Sequence, residues 1–544
     1  MKHILALALF AFFQINLNAQ TLTSSNLPII IINTNGQSIV DDPKITADMG
    51  IIFNGENVRN NVADPYNHYN GKIGIEIRGQ SSQMFPMKSY GIELRDALGG
   101  SFEKSLFGMP KEADWVLYAP YTDKTLMRNF LAYTMSNELG RWAAHCRFVE
   151  VVVNGDYKGI YVFMERIKKG SGRVNIAKIG NTDVTGDAVT GGYIFSLDKE
   201  PNGWLSSYTT PNSTNNGKRQ FSYVYPKPEN IVQAQKNYIK SYVDSFENAL
   251  ATPTFQDKTS GVRKFADLSS FIDYFIVNEV SRNVDGYRLS TYLYKDRDSK
   301  NRKIFAGPAW DYDLAFRNAN YCEGSNISGW AYQFNNVCPG DGAGLIPFWW
   351  ERLMLDTAFV SDLRCHWKEV RQTTISNEHL NHIIDSIAAL TNEARQRHFQ
   401  RWPILGQYVW PNANPIPTSY EGEISTLKDW IANRLIWIDN SILNAGACAD
   451  LVDITNKDLE VSIYPNPNNG VDVTIEIKTK YPQTIYLNVF DETGRLMHKQ
   501  SFNVVLVSTN IITIQEMKKW QTGIYYFIFS NKDGEKISKK VMKH

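Results

Sequence analysis

The sequence lacks most of the features that place a chain in a functional class at once. Its formal net charge is only +1 over 544 residues, which argues against a protein that binds nucleic acid mainly by electrostatics. No apolar run is long enough to cross a membrane. GxSxG, HExxH and Walker A patterns are absent, and none of the nine histidines falls in a metal-binding spacing. No pattern of this kind in the sequence therefore points to a hydrolase or a zinc protein.

Cysteine is also scarce, with five residues and no CxxC pair. Cys322 and Cys338 are the best candidates for a disulfide in an exported protein, because they bracket a loop rich in Gly, Asn and Ser. The alternative is a pair of buried thiols. An odd number of cysteines leaves at least one without a partner within the chain.

The N-terminus has the composition of a signal peptide. Lys2 and His3 precede an apolar run at 4–13, and Asn18-Ala19 resembles a cleavage site with a small residue. The run has about ten residues, which suits a signal peptide and is too short for a membrane span. Residues 1–19 are thus predicted to be removed on export, and a buried N-terminal helix is the alternative.

The length exceeds one ordinary core, so two or more domains are expected. Periodicity predicts a small antiparallel sheet early in the chain and a mostly helical region later. We interpret the Ser-, Thr- and Asn-rich stretch 202–220 as a surface loop and the proline-rich stretch 402–417 as an ordered loop. The predicted elements are strands at 27–33 and 192–198, hairpins at 72–78 with 88–94 and at 148–153 with 159–165, and helices at 124–139, 231–250, 268–283 and much of 349–443.

The residue pattern of the sequence changes after a linker at 446–460. Short alternating strands separated by Gly and Asn turns follow, which predicts a small all-β sandwich at 461–544. The predicted strands are 461–464, 471–478, 485–490, 511–514 and 524–529.

Three acids in the segment 283–316 have the spacing of a phosphoryl-transfer site. Asp285 follows a predicted helix, and Asp311 and Asp313 come after a strand and a polar turn. A lone Asp can orient a hydroxyl, and paired carboxylates can hold Mg²⁺. If the second segment is extended, Asp311 and Asp313 point to the same face. The alternatives are an ordinary acid after a helix and a salt-bridged turn.

Several blocks of the sequence together resemble the CotH family, whose name comes from a spore-coat protein and whose members are similar to atypical secreted kinases. The resemblance covers residues 27–445 and implies an α+β, kinase-like domain with two lobes. The blocks are IRGQSSQMFPMKSYGIELRD (77–96), DKTLMRNFLAYTMSNELG (123–140), VVVNGDYKGIYVFMERI (151–167), GGYIFSLDK (191–199) and the acidic segment with the helix before it, 271–316.

The resemblance implies that Lys88 contacts the phosphates of ATP, with Mg²⁺ or Mn²⁺ as the metal. The turn that holds Arg78, Ser81 and Ser82 offers N–H groups and hydroxyls to phosphate oxygens. Glu165 either pairs with Lys88 or lies at the adenine, and Glu138 is the other candidate partner of Lys88.

The sequence departs from ordinary kinases at two points in the same segment. The His-Arg-Asp preface is missing before Asp285, and Ser290 stands where kinases have Asn. The second departure puts a second metal site in doubt, and Asn283 is a substitute ligand.

The tail resembles a second family, the type A C-terminal sorting domain of the type IX secretion system. YPNPNNG (464–470), VFDETGRLM (489–497), GIYYFIFSNKDG (523–534) and the basic end KISKKVMKH (536–544) carry this resemblance. It implies the type IX machinery as a partner and a secreted or outer-surface location. A carbohydrate-binding β-module is the alternative.

The resemblances imply a secreted kinase that transfers the ATP γ-phosphoryl group to Ser or Thr of an extracytoplasmic protein. The rival hypothesis is a catalytically silent scaffold for adhesion or glycan binding. Nucleotidyl transfer uses the same residues and stays open at this point. The acceptor, the cysteine pairing, the oligomeric state and the fate of the tail lie beyond the sequence.

Overall fold

The computed structural model describes residues 22–338, 340–442 and 459–543, except 467, 469–471, 480–482, 494, 505–509 and 532–535. The predicted signal peptide, most of the predicted linker and Cys448 lie outside the described residues. The described chain is mixed α/β and divides into two units. The first unit takes the chain up to Tyr121, then Cys146–Arg166 and Ala388–Leu405, and the second unit takes the remainder.

The first unit is built on a closed barrel with the strand order β2-β3-β5-β6-β7-β9-β8. The β2–β8 pair is parallel and the other barrel pairs are antiparallel. The first nine strands are β1 (Ser24–Ser25), β2 (Ile29–Asn33), β3 (Ile45–Ile52), β4 (Asn60–Asn61), β5 (Tyr69–Arg78), β6 (Ser89–Arg95), β7 (Asp114–Tyr118), β8 (Cys146–Val153) and β9 (Asp156–Glu165).

Closure of the barrel differs from the small antiparallel sheet expected from the sequence. The apolar β2 pairs with β3 on one side and with β8 on the other, so neither of its edges stays open. Side chains that alternate inward along the strands fill the interior, including Ile30, Ile73 and Trp115.

The two hairpins predicted for this unit are present. β5 and β6 pair in register from Lys72–Arg95 to Arg78–Ser89. The turn between β8 and β9 has Asn154 at φ 52° and Gly155 at φ 79°, the left-handed pair that a tight hairpin requires. A helix, Asn392–Arg401, packs along β9.

The second unit combines an antiparallel sheet in the order β11-β12-β10-β13-β14 with most of the helices. The strands are β10 (Tyr193–Leu197), β11 (Trp204–Thr209), β12 (Lys218–Tyr225), β13 (Thr291–Lys295) and β14 (Ile304–Ala306). The helices are Arg128–Glu138, Gly186–Val189, Gln233–Ala251, Leu268–Ser281, Asp298–Asn301, Trp349–Leu353, Thr357–Val370, Asn377–Leu390 and Tyr420–Ser441.

The prediction of a surface loop at 202–220 holds for 210–217 but is wrong on either side of it, because β11 and the start of β12 form a hairpin there. Trp204 stacks on Phe221 with ring centroids 4.8 Å apart. Ser206 is buried and donates to the carboxylate of Glu247 at 2.9 Å. Partners elsewhere in the chain thus bury a polar strand that has no apolar alternation of its own.

The C-terminal part of the second unit is all-β, as the sequence predicts. Its two antiparallel sheets, β15-β16-β19 and β18-β17-β20-β21, contribute to one buried core that includes Ile475, Leu487 and Phe527. β18 and β21 were not among the predicted strands. The seven strands are β15 (Leu459–Tyr464), β16 (Val473–Thr479), β17 (Gln483–Asp491), β18 (Leu496–Val504), β19 (Asn510–Ile514), β20 (Gly523–Ser530) and β21 (Lys536–Lys543).

Across the residues that the structure describes, no helix combines the length and apolarity needed to cross a membrane.

Candidate functional site

The first acidic segment begins where helix Leu268–Ser281 ends. Asp267 caps the start of this helix by accepting from the Ser270 amide at 2.9 Å. Arg282 ends it in a left-handed conformation, φ 46°, and turns the chain toward Asp285. The location of Asp285 is thus set by the end of a buried helix.

Asn283 joins the two acidic segments. Its Nδ2 donates to the carbonyl oxygen of Asp311 at 3.0 Å, and its Oδ1 accepts from the amide of Asp285 at 3.2 Å. Asn283 is 2% exposed, so these bonds are shielded from water. The sequence suggested Asn283 as a substitute metal ligand, and in the structure its side chain bridges the two acidic segments.

Helix Arg128–Glu138 holds the second acidic segment from another direction. The amide of Asp311 donates to Tyr133 Oη at 3.1 Å, and the amide of Tyr312 donates to Asn129 Oδ1 at 2.6 Å. Asn129 and Tyr133 are four residues apart, so they project from one face of the helix. The block around Arg128 and Asn129 therefore supports the acids structurally.

The segment is not extended at Asp311, whose φ is 68°. The premise that Asp311 and Asp313 share the face of a strand is therefore wrong, because the hydrogen bonds from the neighbouring helix impose a turn. Tyr287 at φ 67° and Ser290 at φ 46° are also left-handed. Strained residues of this kind often cluster at functional sites, where the surrounding structure holds them in place.

The protonation of Asp313 is affected by three other carboxylates. Burial and the negative charges of Asp311, Asp285 and Asp123 raise the pKa of Asp313 well above its ordinary value. The sequence-predicted acids Asp285, Asp311 and Asp313 are therefore brought into one electrostatic cluster. Ser290 belongs to the same cluster, since its hydroxyl donates to Asp311 Oδ2 at 3.3 Å.

Asp123 is the acid that the sequence analysis missed. It accepts from the amide of Arg128 at 2.8 Å and forms a buried ion pair with the Arg128 side chain. In the sequence Asp123 precedes a helix, as a capping acid does. No motif there indicates that it also belongs to the acid cluster.

Arg288 is the cation next to Asp285. Its Nη2 lies 3.6 Å from Asp285 Oδ1, and its Nη1 lies 3.2 Å from Cys338 Sγ. Cys338 is bonded to Cys322 in a disulfide. Burial raises the pKa of Asp285, and the positive charge of Arg288 offsets part of that rise.

The carboxylates of the acid cluster can hold a hard divalent cation only if a ligand supplies further oxygen atoms to it. Among the described residues, no group of three or more His, Cys, Asp or Glu side chains is placed to hold a metal alone. Mg²⁺ in nucleotide sites commonly takes one or two carboxylates together with phosphate oxygens and water. The excess negative charge around Asp313 is suited to that arrangement.

The other sequence-predicted residues lie in the first unit. Arg78 ends β5, Ser81 and Ser82 begin a short 3₁₀ turn, Ser81–Met84, and Lys88 directly precedes β6. Lys88 Nζ donates to the carbonyl of Gln83. The structure thus brings Arg78, Ser81, Ser82 and Lys88 together around one connection.

The two glutamates differ in location. Glu165 is fully buried at the end of β9, opposite Trp115 of β7. Glu138 belongs to the second unit, where its carboxylate lies 2.7 Å from His379 Nε2. Glu138 is thus held by a histidine of its own unit.

Comparison with known proteins identifies two families that match this chain. Residues 75–438 match the family model of the CotH kinase protein, so the chain belongs to the CotH family. Residues 462–544 match the secretion system C-terminal sorting domain.

A curated relative is the inner spore coat protein H of Bacillus subtilis (strain 168). It is 24% identical to this chain over 244 residues, which are 45% of this chain. The match spans 59% of the length of that relative.

Proposed function

We propose that this chain is a secreted atypical kinase that transfers the γ-phosphoryl group of ATP to a Ser or Thr hydroxyl of an extracytoplasmic protein. The observation that carries the proposal is the bridge made by Asn283, whose side chain bonds the backbone of both Asp285 and Asp311 and so brings the two acidic segments together in a chain of the CotH family. A scaffold has no need to gather like charges at an energetic cost, whereas phosphoryl transfer uses them.

In the proposed reaction, Asp285 orients the acceptor hydroxyl and takes its proton. The hydroxyl oxygen bonds to the γ-phosphorus, the bond from that phosphorus to the β–γ bridging oxygen breaks, and ADP leaves with the electron pair. Arg288 limits the rise in the pKa of Asp285, which keeps this carboxylate able to act as a base.

Asp311 and Asp313 are the residues proposed to hold Mg²⁺ or Mn²⁺ together with phosphate oxygens. The metal, when bound, would neutralise charge on the phosphates. Arg78, Ser81, Ser82, Lys88 and Glu165 are proposed to contact the nucleotide. Within this turn, Gln83 Nε2 donates to the Gly79 carbonyl at 2.6 Å. This hydrogen bond would keep the turn in the conformation that contacts the nucleotide.

The domain assignment follows the same proposal. Residues 27–445 would form a kinase-like domain with two lobes, and 461–544 an immunoglobulin-like sandwich after the linker 446–460. The signal peptide 1–19 and the tail would direct the chain through type IX secretion to the outer surface or the medium. The match of the tail to a sorting domain supports this route.

Thermal stability in the presence of Mg²⁺ and ATP tests the site directly. Binding to the native state raises Tm by mass action, so we expect a metal-dependent rise in the parent protein and none in Asp311→Asn. Asp385→Asn, at an exposed acid of the same unit, is the matched control and should behave as the parent does.

Transfer of ³²P from γ-labelled ATP to a Ser-rich model protein then separates binding from turnover. Asp285→Asn should keep the nucleotide-dependent rise in Tm and lose transfer by about 10² to 10⁴. Transfer of the α-label instead would establish nucleotidyl transfer. A folded parent with no response to millimolar ATP would favour the silent scaffold.

A further inference from the structure

The disulfide between Cys322 and Cys338 lies against the arginine that faces the acid cluster. Arg288 Nη1 lies 3.2 Å from Cys338 Sγ, and Arg288 Nη2 lies 4.0 Å from Cys322 Sγ. The same Nη2 lies 3.6 Å from Asp285 Oδ1. One guanidinium thus contacts both sulfurs and the carboxylate proposed as the base, yet the function proposed above gives the disulfide no role.

Reduction of this bond must displace at least one of the two sulfurs. Bonded sulfurs lie about 2 Å apart, whereas two thiols that are not bonded stay roughly 3.5 to 4 Å apart. Without both sulfurs, the guanidinium is fixed by its Nε, which donates to the Val284 carbonyl at 2.6 Å, and by its Nη1, which donates to the Gly344 carbonyl at 3.4 Å. Neither bond involves Nη2, so the nitrogen nearest Asp285 loses support.

The backbone at Cys322 makes this sulfur the one that is expected to move. Cys322 has φ 51° and Glu323 has φ 54°, a left-handed pair that is unfavourable for residues with a Cβ. Arg282 Nε donates to the Glu323 carbonyl at 3.2 Å, which holds the second of these residues without the disulfide. Once the bond is broken, Cys322 can leave the left-handed conformation while Glu323 stays in place.

A movement of Cys322 also reaches the acids through Tyr321, the residue before it. Burial and the negative charge of Asp285 raise the pKa of Tyr321, and the positive charge of Arg288 offsets part of the rise. The phenol therefore lies close enough to both groups to interact with their charges.

The middle of the loop between the cysteines is held independently of the disulfide. Trp430 Nε1 donates to the Ser325 carbonyl at 2.7 Å. Arg434 Nη1 donates to the carbonyls of Ile327 and Gly329 at 2.9 and 2.7 Å. Reduction is therefore expected to act at the ends of the loop, next to Arg288, and to leave its middle folded.

The bond is within reach of a small dithiol, because both cysteines are half-buried and the adjacent Glu323 and Val337 are exposed. A thiolate of the reductant attacks one sulfur, the S–S bond breaks, and the other cysteine leaves as a thiolate that takes a proton. The second thiol of the reductant then closes a cyclic disulfide and releases the first cysteine. Two electrons and two protons in all are transferred to the protein.

We propose that the Cys322–Cys338 bond is a redox switch of the acid cluster. The oxidised pair holds Arg288 against Asp285, and reduction releases the guanidinium and lowers phosphoryl transfer. The proposal rests on the kinase function above and adds a regulation of the same site. Because cytoplasmic thiols keep such pairs reduced, the chain would gain full activity only in an oxidising compartment after export.

Reduction of the full-length protein by dithiothreitol tests the switch without any substitution. Alkylation and mass spectrometry establish the redox state of Cys322 and Cys338, and transfer of ³²P from γ-labelled ATP is measured in each state. We expect kcat to fall about tenfold or more, since a positioned base contributes about 10² to 10⁴. KM for MgATP should change little, because Arg288 acts on the proposed base. Reoxidation should restore kcat, and an unchanged kcat in the fully reduced protein would overturn the proposal.

Three variants assign the effect to this bond and to Arg288. Cys322→Ser/Cys338→Ser should have the low kcat of the reduced parent and no response to dithiothreitol. Cys146→Ser, which breaks no disulfide, should respond as the parent does. In Arg288→Gln, reduction should cause no further loss, because the cation through which the bond acts is gone. A further fall on reduction of Arg288→Gln would overturn the proposal.

Hydrogen exchange separates this inference from the proposed function, because it needs no turnover. The amides of Arg288 and Leu289 donate to the Asp285 carbonyl at 3.2 and 2.9 Å. We expect both amides to exchange faster in the reduced protein, while those of Ala331 and Tyr332, held by a buried carboxylate, keep their rates. Equal rates in the two redox states, or a rise at all four amides, would overturn the proposal. The expected change without any transfer by the oxidised protein would instead refute the kinase function and leave the redox-dependent contact.

Discussion

Buried charges of the second unit are held by several partners at once, as Glu279 illustrates. Its carboxylate accepts from the amides of Ala331 and Tyr332 at 2.7 and 2.9 Å and from Tyr287 Oη at 3.0 Å. Arg434 lies 3.1 Å away and is also buried. Burial raises the pKa of Glu279, and the positive charge of Arg434 offsets part of the rise. The group fixes Tyr287, whose left-handed backbone lies between Asp285 and Ser290.

Replacing Arg434 by Met should destabilise the protein strongly. The variant leaves the charge of Glu279 without its cation, which typically costs about 3 to 5 kcal/mol at a buried pair. Arg302→Met is the control, because Arg302 pairs with Asp298 at the surface and such pairs contribute about 0 to 1 kcal/mol. Urea unfolding of both variants measures the difference. Similar losses in the two variants would contradict the argument from burial.

At the scale of elements, helix Asn392–Arg401 is joined to the barrel by a buried histidine. His398 Nδ1 accepts from the amide of Ile160 in β9 at 3.1 Å. Gly159 has φ 102°, and a Cβ there would lie 2.8 Å from His398 Nδ1. The strand can approach the ring only because residue 159 is glycine.

The same histidine predicts an acid sensitivity of the first unit. Burial lowers the pKa of His398 to about 3, against about 6.5 in the unfolded chain. Between these values the unfolded state binds more protons, so the free energy of unfolding falls as the pH falls. The slope from this group approaches about 1.4 kcal/mol per pH unit.

His398→Asn keeps an acceptor toward Ile160 and removes the titrating ring. We expect its stability to fall less steeply than that of the parent between pH 6.5 and about 3. His382→Asn, at an exposed histidine, should keep the acid dependence of the parent. Stability measured by urea unfolding across this pH range decides the matter, and parallel curves for the parent and His398→Asn would refute it.

The loop closed by Cys322 and Cys338 is the element that supports Arg288. The bond spans 16 residues and its sulfur contacts the guanidinium that faces Asp285. The double variant Cys322→Ser/Cys338→Ser should lose about 3 kcal/mol of stability by the loop-entropy estimate. It should also lower the proposed phosphoryl transfer, since Arg288 loses the sulfur that its guanidinium contacts. Cys146→Ser, which breaks no disulfide, is the control, and an unchanged stability of the double variant would contradict the prediction.

At the scale of the whole molecule, the sequence predicted the helices and strands better than the closure of the barrel. Apolar strands such as Ile29–Asn33 and the helix Leu268–Ser281 were visible from local periodicity. Closure of the barrel was not, because it depends on β2 pairing with β8 more than a hundred residues later. The polar hairpin β11–β12 was missed because its burial comes from Glu247 and other distant partners.

The candidate site shows the same division. Asp285, Asp311 and Asp313 could be named from their spacing, since carboxylates with aromatic neighbours are a local signal. The backbone turn at Asp311 and the charge of Asp123 could not, because both depend on helix Arg128–Glu138. The identity of the acidic residues could thus be predicted from the sequence, whereas the contacts that position their side chains could not.

The sorting domain supplies the last prediction, through the lysine that fixes its final described strand. Lys543 is 6% exposed, and its Nζ donates to the carbonyls of Met517 at 2.7 Å, Lys518 at 3.1 Å and Trp520. Lys543→Met leaves the buried carbonyl of Met517 unsatisfied, which costs about 1 to 3 kcal/mol. If the folded domain is what the export machinery recognises, this variant should be exported several-fold less than the parent.

The exported fraction is measured by immunoblotting of periplasm, cell surface and medium in a host with type IX secretion. Lys539→Met is the matched control, because Lys539 lies in the same strand with its side chain exposed. Its export should equal that of the parent, since no buried carbonyl loses a donor. Normal export of Lys543→Met, with the domain shown to be destabilised, would mean that recognition depends on the sequence of the tail and not on its fold.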